Sequence, residues 1–118
     1  MDALIRKVDC VRIPVDDLDA GVAFYQRLGH DVIWRRPRQV GLRLPDTDAE
    51  LVLQTEHEDA RVDLLVDDVR AAVARVVAAG GRVVVEPFAI ESGLCAVVAD
   101  PHGTELELLD MSSGPLTP

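Results

Sequence analysis

The sequence predicts an α+β fold of two tandem βαβββ modules, and three observations support this prediction. The chain repeats itself: residues 10–34 align without a gap to residues 61–85, and nine of the 25 aligned pairs are identical. Each copy has the apolar pattern of a strand, a helix and a strand. Each copy is then followed by two apolar segments joined by a turn containing Pro and Asp, which is typical of an antiparallel pair. A unit present only twice is a duplicated module, not a solenoid.

The first strand and the helix of each copy follow from local patterns. The segments CVRIPV and RVDLLV alternate apolar and polar residues, as strands do. Apolar residues then recur at helical spacing. Gly29 and Gly80 stand where a helix C-terminus favours a residue that tolerates positive φ. Helix N-caps are expected at one of two aspartates in each copy: Asp16 or Asp17, and Asp67 or Asp68.

The remaining strands complete each module and set the domain boundaries. They are expected in DVIWRR, QVGLRL and ELVLQT, and in RVVVEP, GLCAVVA and TELELL. We expect a single domain over residues 1–110, with module one at about 5–55 and module two at about 60–110. Residues 111–118 are expected to form a flexible tail.

Composition limits the classes of partner. The formal net charge of −9 argues against a nucleic-acid partner, which would require clustered Lys and Arg. No apolar run reaches the length of a membrane span, and the start MDALIRKVDC lacks the apolar region of a secretory signal. Cys10 and Cys95 are therefore expected to be buried thiols of a cytoplasmic protein.

Two motifs make a resemblance specific. The helix of the first copy fits V-x-D-L-x-x-(x)-V-x-F-Y-x-x-L-G, and the second copy closes with ADPHGTELELLD. With the duplication, they resemble the vicinal oxygen chelate superfamily, which includes glyoxalase I, extradiol dioxygenases and bleomycin-resistance proteins. The resemblance covers roughly residues 5–110. It implies two half-barrel sheets around a ligand cleft, and a homodimer.

The resemblance also implies four metal-ligand positions, which fall on Cys10, Val52, Arg61 and Glu107. A one-residue shift would replace Val52 by Leu53. Of the four residues, only Glu107 is an ordinary ligand for a hard metal, whereas a catalytic metal generally needs about three protein ligands. A guanidinium at position 61 would also repel a divalent cation. We therefore predict no metal site and no cofactor.

The same positions suggest a ligand site in the cleft. Arg12 and Asp63 are equivalent positions of the two copies, so they either form a salt bridge or leave Arg12, or Arg61, to bind a carboxylate or phenolate. Glu107 is the candidate general base, unless Arg61 holds it as an ion pair. The predicted ligand-binding residues are Cys10, Arg12, Trp34, Val52, Arg61, Asp63, Phe88 and Glu107.

Several of these residues could have a purely structural role instead. Cys10 would need an activating group to act as a nucleophile, so a buried thiol is the alternative. Trp34 and Phe88 could stack on a flat ligand or could fill the core or a dimer interface. The histidines are expected in surface or turn positions: His30, His57 and His102.

Three functional hypotheses remain. The first is a metal-independent protein that binds or sequesters a small organic ligand. The second is an enzyme of the superfamily, either a metal-free acid/base lyase or isomerase acting through Glu107 or a metal-dependent enzyme with non-standard ligands. The third is a module that associates with another protein. Fold alone does not choose among them, although the altered metal positions favour the first and the metal-free version of the second.

Overall fold

The computed structural model describes residues 2–114 and has the predicted order of elements. Two copies of βαβββ follow each other, so the α+β fold with two tandem modules is confirmed. The elements are β1 (Lys7–Pro14), α1 (Leu18–Arg27), β2 (Val32–Arg36), β3 (Gln39–Arg43), β4 (Glu50–Gln54), β5 (Arg61–Leu65), α2 (Val69–Ala78), β6 (Arg82–Ile90), β7 (Gly93–Ala99) and β8 (Glu105–Leu109).

The described residues form two compact units. The first unit is residues 9–62, and the second is residues 2–8 with 63–114. Within the first unit the strand order is β2-β3-β4-β1, with β1 parallel to β4 and the other pairs antiparallel. Within the second unit the order is β5-β8-β7-β6, with β5 parallel to β8. The two strand orders are equivalent, as the duplication requires.

Both helices begin and end at the residues that the sequence indicates. Asp17 and Asp68 are the N-caps, and each carboxylate accepts a hydrogen bond from the backbone N–H three residues later. This bond satisfies one of the donors that a helix N-terminus leaves open. Gly29 and Gly80 follow the helices with φ of 93° and 106°, where a side chain would be strained. The predicted caps are confirmed.

Each helix covers one face of the sheet in its own unit. In the first unit, Val22 of α1 packs on Val40, Leu42 and Leu53. In the second unit, a core of six buried residues lies under α2: Val66, Val69, Ala72, Ala96, Val98 and Leu108. Because side chains alternate along a strand, the residues between these core positions point to the opposite side, which we call the far face of each unit.

The chain ends of the described region are hydrogen-bonded within the second unit. The Arg6 N–H donates to the Leu65 carbonyl at 2.8 Å, and the Ser113 N–H donates to the Ser92 carbonyl at 2.8 Å. Of the predicted tail 111–118, residues 115–118 lie outside the described residues. Both cysteines are buried thiols, as predicted. No helix among the described residues is long and apolar enough to cross a membrane.

Candidate functional site

A hydrogen-bonded pair of side chains, Trp34 and Glu50, lies on the far face of the first unit. The indole Nε1–H of Trp34 donates to Glu50 Oε1 at 2.7 Å. Trp34 is only 4% exposed, whereas Glu50 is half-buried. A short bond from a buried donor fixes the carboxylate in one orientation. Glu50 was not predicted as a site residue, yet it lies two residues before Val52 on β4 and therefore on the same face.

Local irregularity and a glycine bring Trp34 to this position. The pairing of β2 with β3 shifts between Val32 and Trp34, so Val32 packs in the core under α1 while Trp34 turns to the far face. Trp34 is the register partner of Gly41 on β3. A Cβ atom on Gly41 would lie 2.2 Å from Trp34 Nε1. The indole thus occupies space that only a glycine leaves open.

The environment of Glu50 makes its carboxyl a weaker acid. Burial raises the pKa of Glu50 above its ordinary value of 4.5 and the Asp9 carboxylate raises it further, while the Trp34 hydrogen bond and Arg43 lower it. Ionised Glu50 is therefore disfavoured by the fold. The free-energy cost of ionising Glu50 in the folded protein is absent at pH values below its ordinary pKa and fully present at pH values above its pKa in the folded state. The folded protein therefore becomes less stable as the pH rises from the first value to the second.

Trp34 is the only tryptophan of the chain, so its fluorescence should report the ionisation of Glu50. We expect the emission of the wild-type protein to change in a single step whose midpoint lies above pH 4.5. Glu50→Gln should abolish the step, and Glu86→Gln, the same change at an exposed position of β6, should leave it intact. An emission that stays constant between about pH 4 and pH 8 would contradict this interpretation.

Arg36 and Arg43 lie near the pair, whereas Arg35 lies 4.0 Å from Asp19 of α1 and therefore on the helix side of the sheet. Residues 34–43 read WRRPRQVGLR, with four arginines and no acidic residue, in a chain of net charge −9. The Arg36 guanidinium carbon lies 5.7 Å from the centroid of the Trp34 ring, within cation–π range. Arg43 is the register partner of Glu50, and Arg12 lies on β1 opposite Val52. This local concentration of arginine is a sequence signal that the predictions did not use.

The register of the strands shows which residues are equivalent at the implied metal positions. Val52 pairs with Arg12 in the first unit, just as Glu107 pairs with Asp63 in the second. Val52 is 3% exposed and lies on the far face, whereas Leu53 packs in the core under α1. Val52 is therefore the counterpart of Glu107.

The residues at these positions do not fit a metal ion. Val52 has no ligating atom, and the Arg61 guanidinium has donors but no acceptor lone pair. Among residues 2–114 there is no group of three or more His, Cys, Asp and Glu side chains placed to hold a metal. Cys10 and Glu107 alone are fewer protein ligands than zinc sites use.

The far face of the second unit carries two neighbouring, buried carboxylates. Asp63 and Glu107 are register partners on β5 and β8, and they are 6% and 8% exposed. Val97 is the register partner of Glu107 on β7. Two buried carboxylates on adjacent strands are costly unless cations or hydrogen-bond donors accompany them. Neither Asp63 nor Glu107 is without a partner in the structure.

The other predicted site residues are dispersed over the elements. Cys10 is buried on β1, with Glu50 as its register partner. Arg61 begins β5. Phe88 is 44% exposed on β6, the last strand in the order of the second unit, so it does not fill the core. The structure therefore brings Cys10, Arg12, Trp34 and Val52 together on one far face and Asp63 and Glu107 on the other.

A separate groove of about 1000 Å³ lies beside the N-terminus of α1 in the first unit. Carboxylates dominate its polar lining, and Gln54 organises one wall by accepting hydrogen bonds from the N–H groups of Glu56 and His57 at 2.7 Å. The groove is acidic where the far face is rich in arginine, so the two surfaces suit ligands of opposite charge. Its acidic lining residues are Asp16, Asp17, Glu56 and Glu58.

Comparisons with known proteins agree with the fold. Residues 10–109 match the glyoxalase-like domain family, and no curated protein sequence matches the chain. Methylmalonyl-CoA epimerase from Mycobacterium tuberculosis has a TM-score of 0.79 and 21% identity, and the match covers 95% of this chain and 93% of that chain. Streptomyces coelicolor methylmalonyl-CoA epimerase in complex with 2-nitronate-propionyl-CoA has a TM-score of 0.75 and 25% identity over 92% and 99% of the two chains.

A third similar structure is an Mn(II)-bound glyoxalase from Novosphingobium aromaticivorans. Its TM-score is 0.64 and its identity 23%, and the match covers 98% of this chain but 42% of that chain. The likenesses below 25% identity concern the fold alone, whereas the family match extends over residues 10–109. The chain therefore belongs to the glyoxalase-like domain family of the vicinal oxygen chelate superfamily.

Proposed function

We propose that this protein binds a small organic ligand on the far face of the first unit and does so without a metal at the family's metal positions. The observation that carries the proposal is the Trp34–Glu50 hydrogen bond of 2.7 Å beside Val52. At position 52 the buried side chain of Val52 stands where the family has a metal ligand. The oriented carboxylate of Glu50 and the nearby arginines provide polar groups for an organic molecule. Pockets for small molecules combine apolar walls with a few placed polar groups in this way.

An enzyme is the second candidate, because the similar structures bear the names of an epimerase and a glyoxalase. In this version Glu107, buried beside Asp63, acts as a general acid or base without a metal. A carboxylate that contacts a substrate can accept or give up a proton. The arrangement of Asp63 and Glu107 favours such chemistry only if a substrate contacts the far face of the second unit.

The proposed binding function is tested by native mass spectrometry of freshly purified protein. Spectra recorded before and after mild unfolding are compared. We expect a species heavier than the chain that loses a small organic molecule on unfolding. Binding should weaken in Arg12→Ala and should be unchanged in Arg70→Ala, an exposed arginine of α2. A protein that carries no small molecule, and captures none from a soluble cell extract, would contradict the proposal. Turnover of the released molecule by wild type but not by Glu107→Gln would instead establish the enzyme.

The predicted homodimer has support in the second unit. β6 is the last strand in its order and exposes Val84, Val85 and Phe88. A long edge strand with exposed apolar side chains is prone to pair with another chain. The same native spectra give the oligomeric state, and a mass of two chains is expected. A cytoplasmic location stays a prediction.

A further inference from the structure

The carboxylate of Glu50 is held so that one of its two oxygens is engaged by the protein. Oε1 accepts the bond from the buried Trp34 indole at 2.7 Å, and Gly41 leaves room for that indole. This bond uses Oε1 and not Oε2. A half-buried carboxylate with one fixed oxygen and one remaining oxygen is oriented to accept a further hydrogen bond.

The charged groups around Glu50 come from three strands. Arg43 on β3 is its register partner, and Arg36 on β2 lies over the Trp34 ring. On β1, Arg12 lies two residues beyond Cys10, the register partner of Glu50, which places it roughly 7 Å further along the strand direction. The charge of the Asp9 carboxylate raises the pKa of Glu50. The far face thus offers one carboxylate acceptor among several guanidinium groups.

From this arrangement we infer that the ligand is an organic anion that also carries a hydroxyl donor, with the anionic group bound by the arginines of the far face and the hydroxyl donating to Glu50. The inference rests on the proposed binding function and specifies its ligand class. Guanidinium groups bind carboxylates through paired hydrogen bonds. A half-buried acceptor such as Glu50 discriminates against a ligand without the donor, because the acceptor then loses a hydrogen-bond partner. Trp34 is a positioning residue that fixes the acceptor.

The inference can be tested with two probes that differ only in the donor, 4-hydroxybenzoate and benzoate. Isothermal titration calorimetry of each probe into wild-type protein should show binding of 4-hydroxybenzoate at least about tenfold tighter than binding of benzoate. In Glu50→Gln the advantage should shrink to about threefold or less, because the amide is a weaker acceptor than a carboxylate. Glu86→Gln, the same change at an exposed position, should keep the wild-type ratio.

Trp34→Phe provides a second variant that separates positioning from folding. It keeps an aromatic ring against Gly41 but removes the indole donor. We expect the ratio of the two affinities to fall by about threefold or more while benzoate affinity changes little, a split that a general loss of structure would not produce. Circular dichroism spectra of all variants should overlay with that of the wild type.

The outcomes distinguish the inference from the function on which it rests. Equal binding of the two probes, an undiminished ratio in Glu50→Gln, or no binding of either probe would overturn the inference. If the native spectra nevertheless show a bound organic molecule, the binding function stands and its ligand is of another class. If neither probe binds and the native spectra show no small molecule, both proposals fall.

Discussion

Replacing Asp110 by Ala is expected to remove about 3–5 kcal/mol from the free energy of unfolding at neutral pH. Asp110 is 2% exposed and follows β8. Its Oδ2 accepts from the backbone N–H of Val69, the first residue of α2, at 2.9 Å. Its Oδ1 accepts from the Leu94 N–H at 2.9 Å, and from the N–H and hydroxyl of Ser112 at 3.1 and 2.6 Å. One carboxylate thus connects a helix, a strand and the following segment.

The size of the effect follows from what the substitution leaves behind. Alanine has no carboxylate, so the backbone donors that Asp110 binds would be left buried without a hydrogen-bond acceptor. Each such unsatisfied donor costs about 1–3 kcal/mol. The melting temperature should fall by about 10–20 °C for a domain of this size. Asp110→Asn keeps the shape and one acceptor oxygen, so it should lose less. Asp59→Ala, at an exposed position, should change stability by no more than about 0.5 kcal/mol. An Asp110→Ala protein as stable as this control would refute the assignment.

The Asp110 contribution should also depend on pH in a defined direction. Burial by itself raises the pKa of Asp110, but the hydrogen bonds from Ser112, Leu94 and Val69 outweigh it and hold the pKa below the ordinary value of 3.8. A lowered pKa means that the stabilisation is present above pH 3.8 and is lost as the pH falls through the folded pKa. Denaturant unfolding of wild type and Asp110→Ala should be measured at neutral pH and in strong acid. The difference in the free energy of unfolding between the two proteins should become smaller only in strong acid.

Introducing a single methyl group at Gly41 is expected to cost about 2–4 kcal/mol and to disconnect Trp34 from Glu50. The new Cβ would lie 2.2 Å from Trp34 Nε1 and 2.3 Å from Cε2. The indole is rigid and buried, so it can relieve the clash only by leaving its place in the packing. Thermal unfolding followed by circular dichroism measures the loss of stability in Gly41→Ala.

A double-mutant cycle with Trp34→Ala separates this clash from other effects of the methyl group. Once the indole is absent, Gly41→Ala should cost less than about 1 kcal/mol, giving a large coupling between the two positions. Equal costs in both backgrounds would mean that the close contact of Gly41 with Trp34 does not determine stability.

The sequence predicted the fold well because its signals are local. The N-caps Asp17 and Asp68, and the positive φ of Gly29 and Gly80, depend on residues within a few positions of each helix end. The repeat then transfers each local pattern to a second place in the chain. Val62, an apolar position of the segment RVDLLV, is an exception, because it is 45% exposed.

The candidate site was less predictable because its contacts depend on register. Trp34 reaches the far face only through the irregular pairing near Val32, which simple alternation along β2 does not reveal. The bond from Trp34 joins residues 16 positions apart, and the bond from Val69 to Asp110 spans 41 positions. Glu50 could have been predicted from the sequence, because side chains alternate along a strand and Glu50 therefore shares a face with Val52. The convergence of Cys10, Val52, Arg61 and Glu107 in one cleft stays a prediction from the resemblance.

The most direct test of the account is the metal content of protein purified without added ions or chelator, measured by elemental analysis on the preparation used for native mass spectrometry. The account predicts a bound organic molecule together with less than about 0.1 equivalents of Zn, Ni, Mn or Fe per chain, because Val52 and Arg61 supply no ligand. About one equivalent of any of these metals per chain, lost together with the organic molecule on chelation, would contradict it.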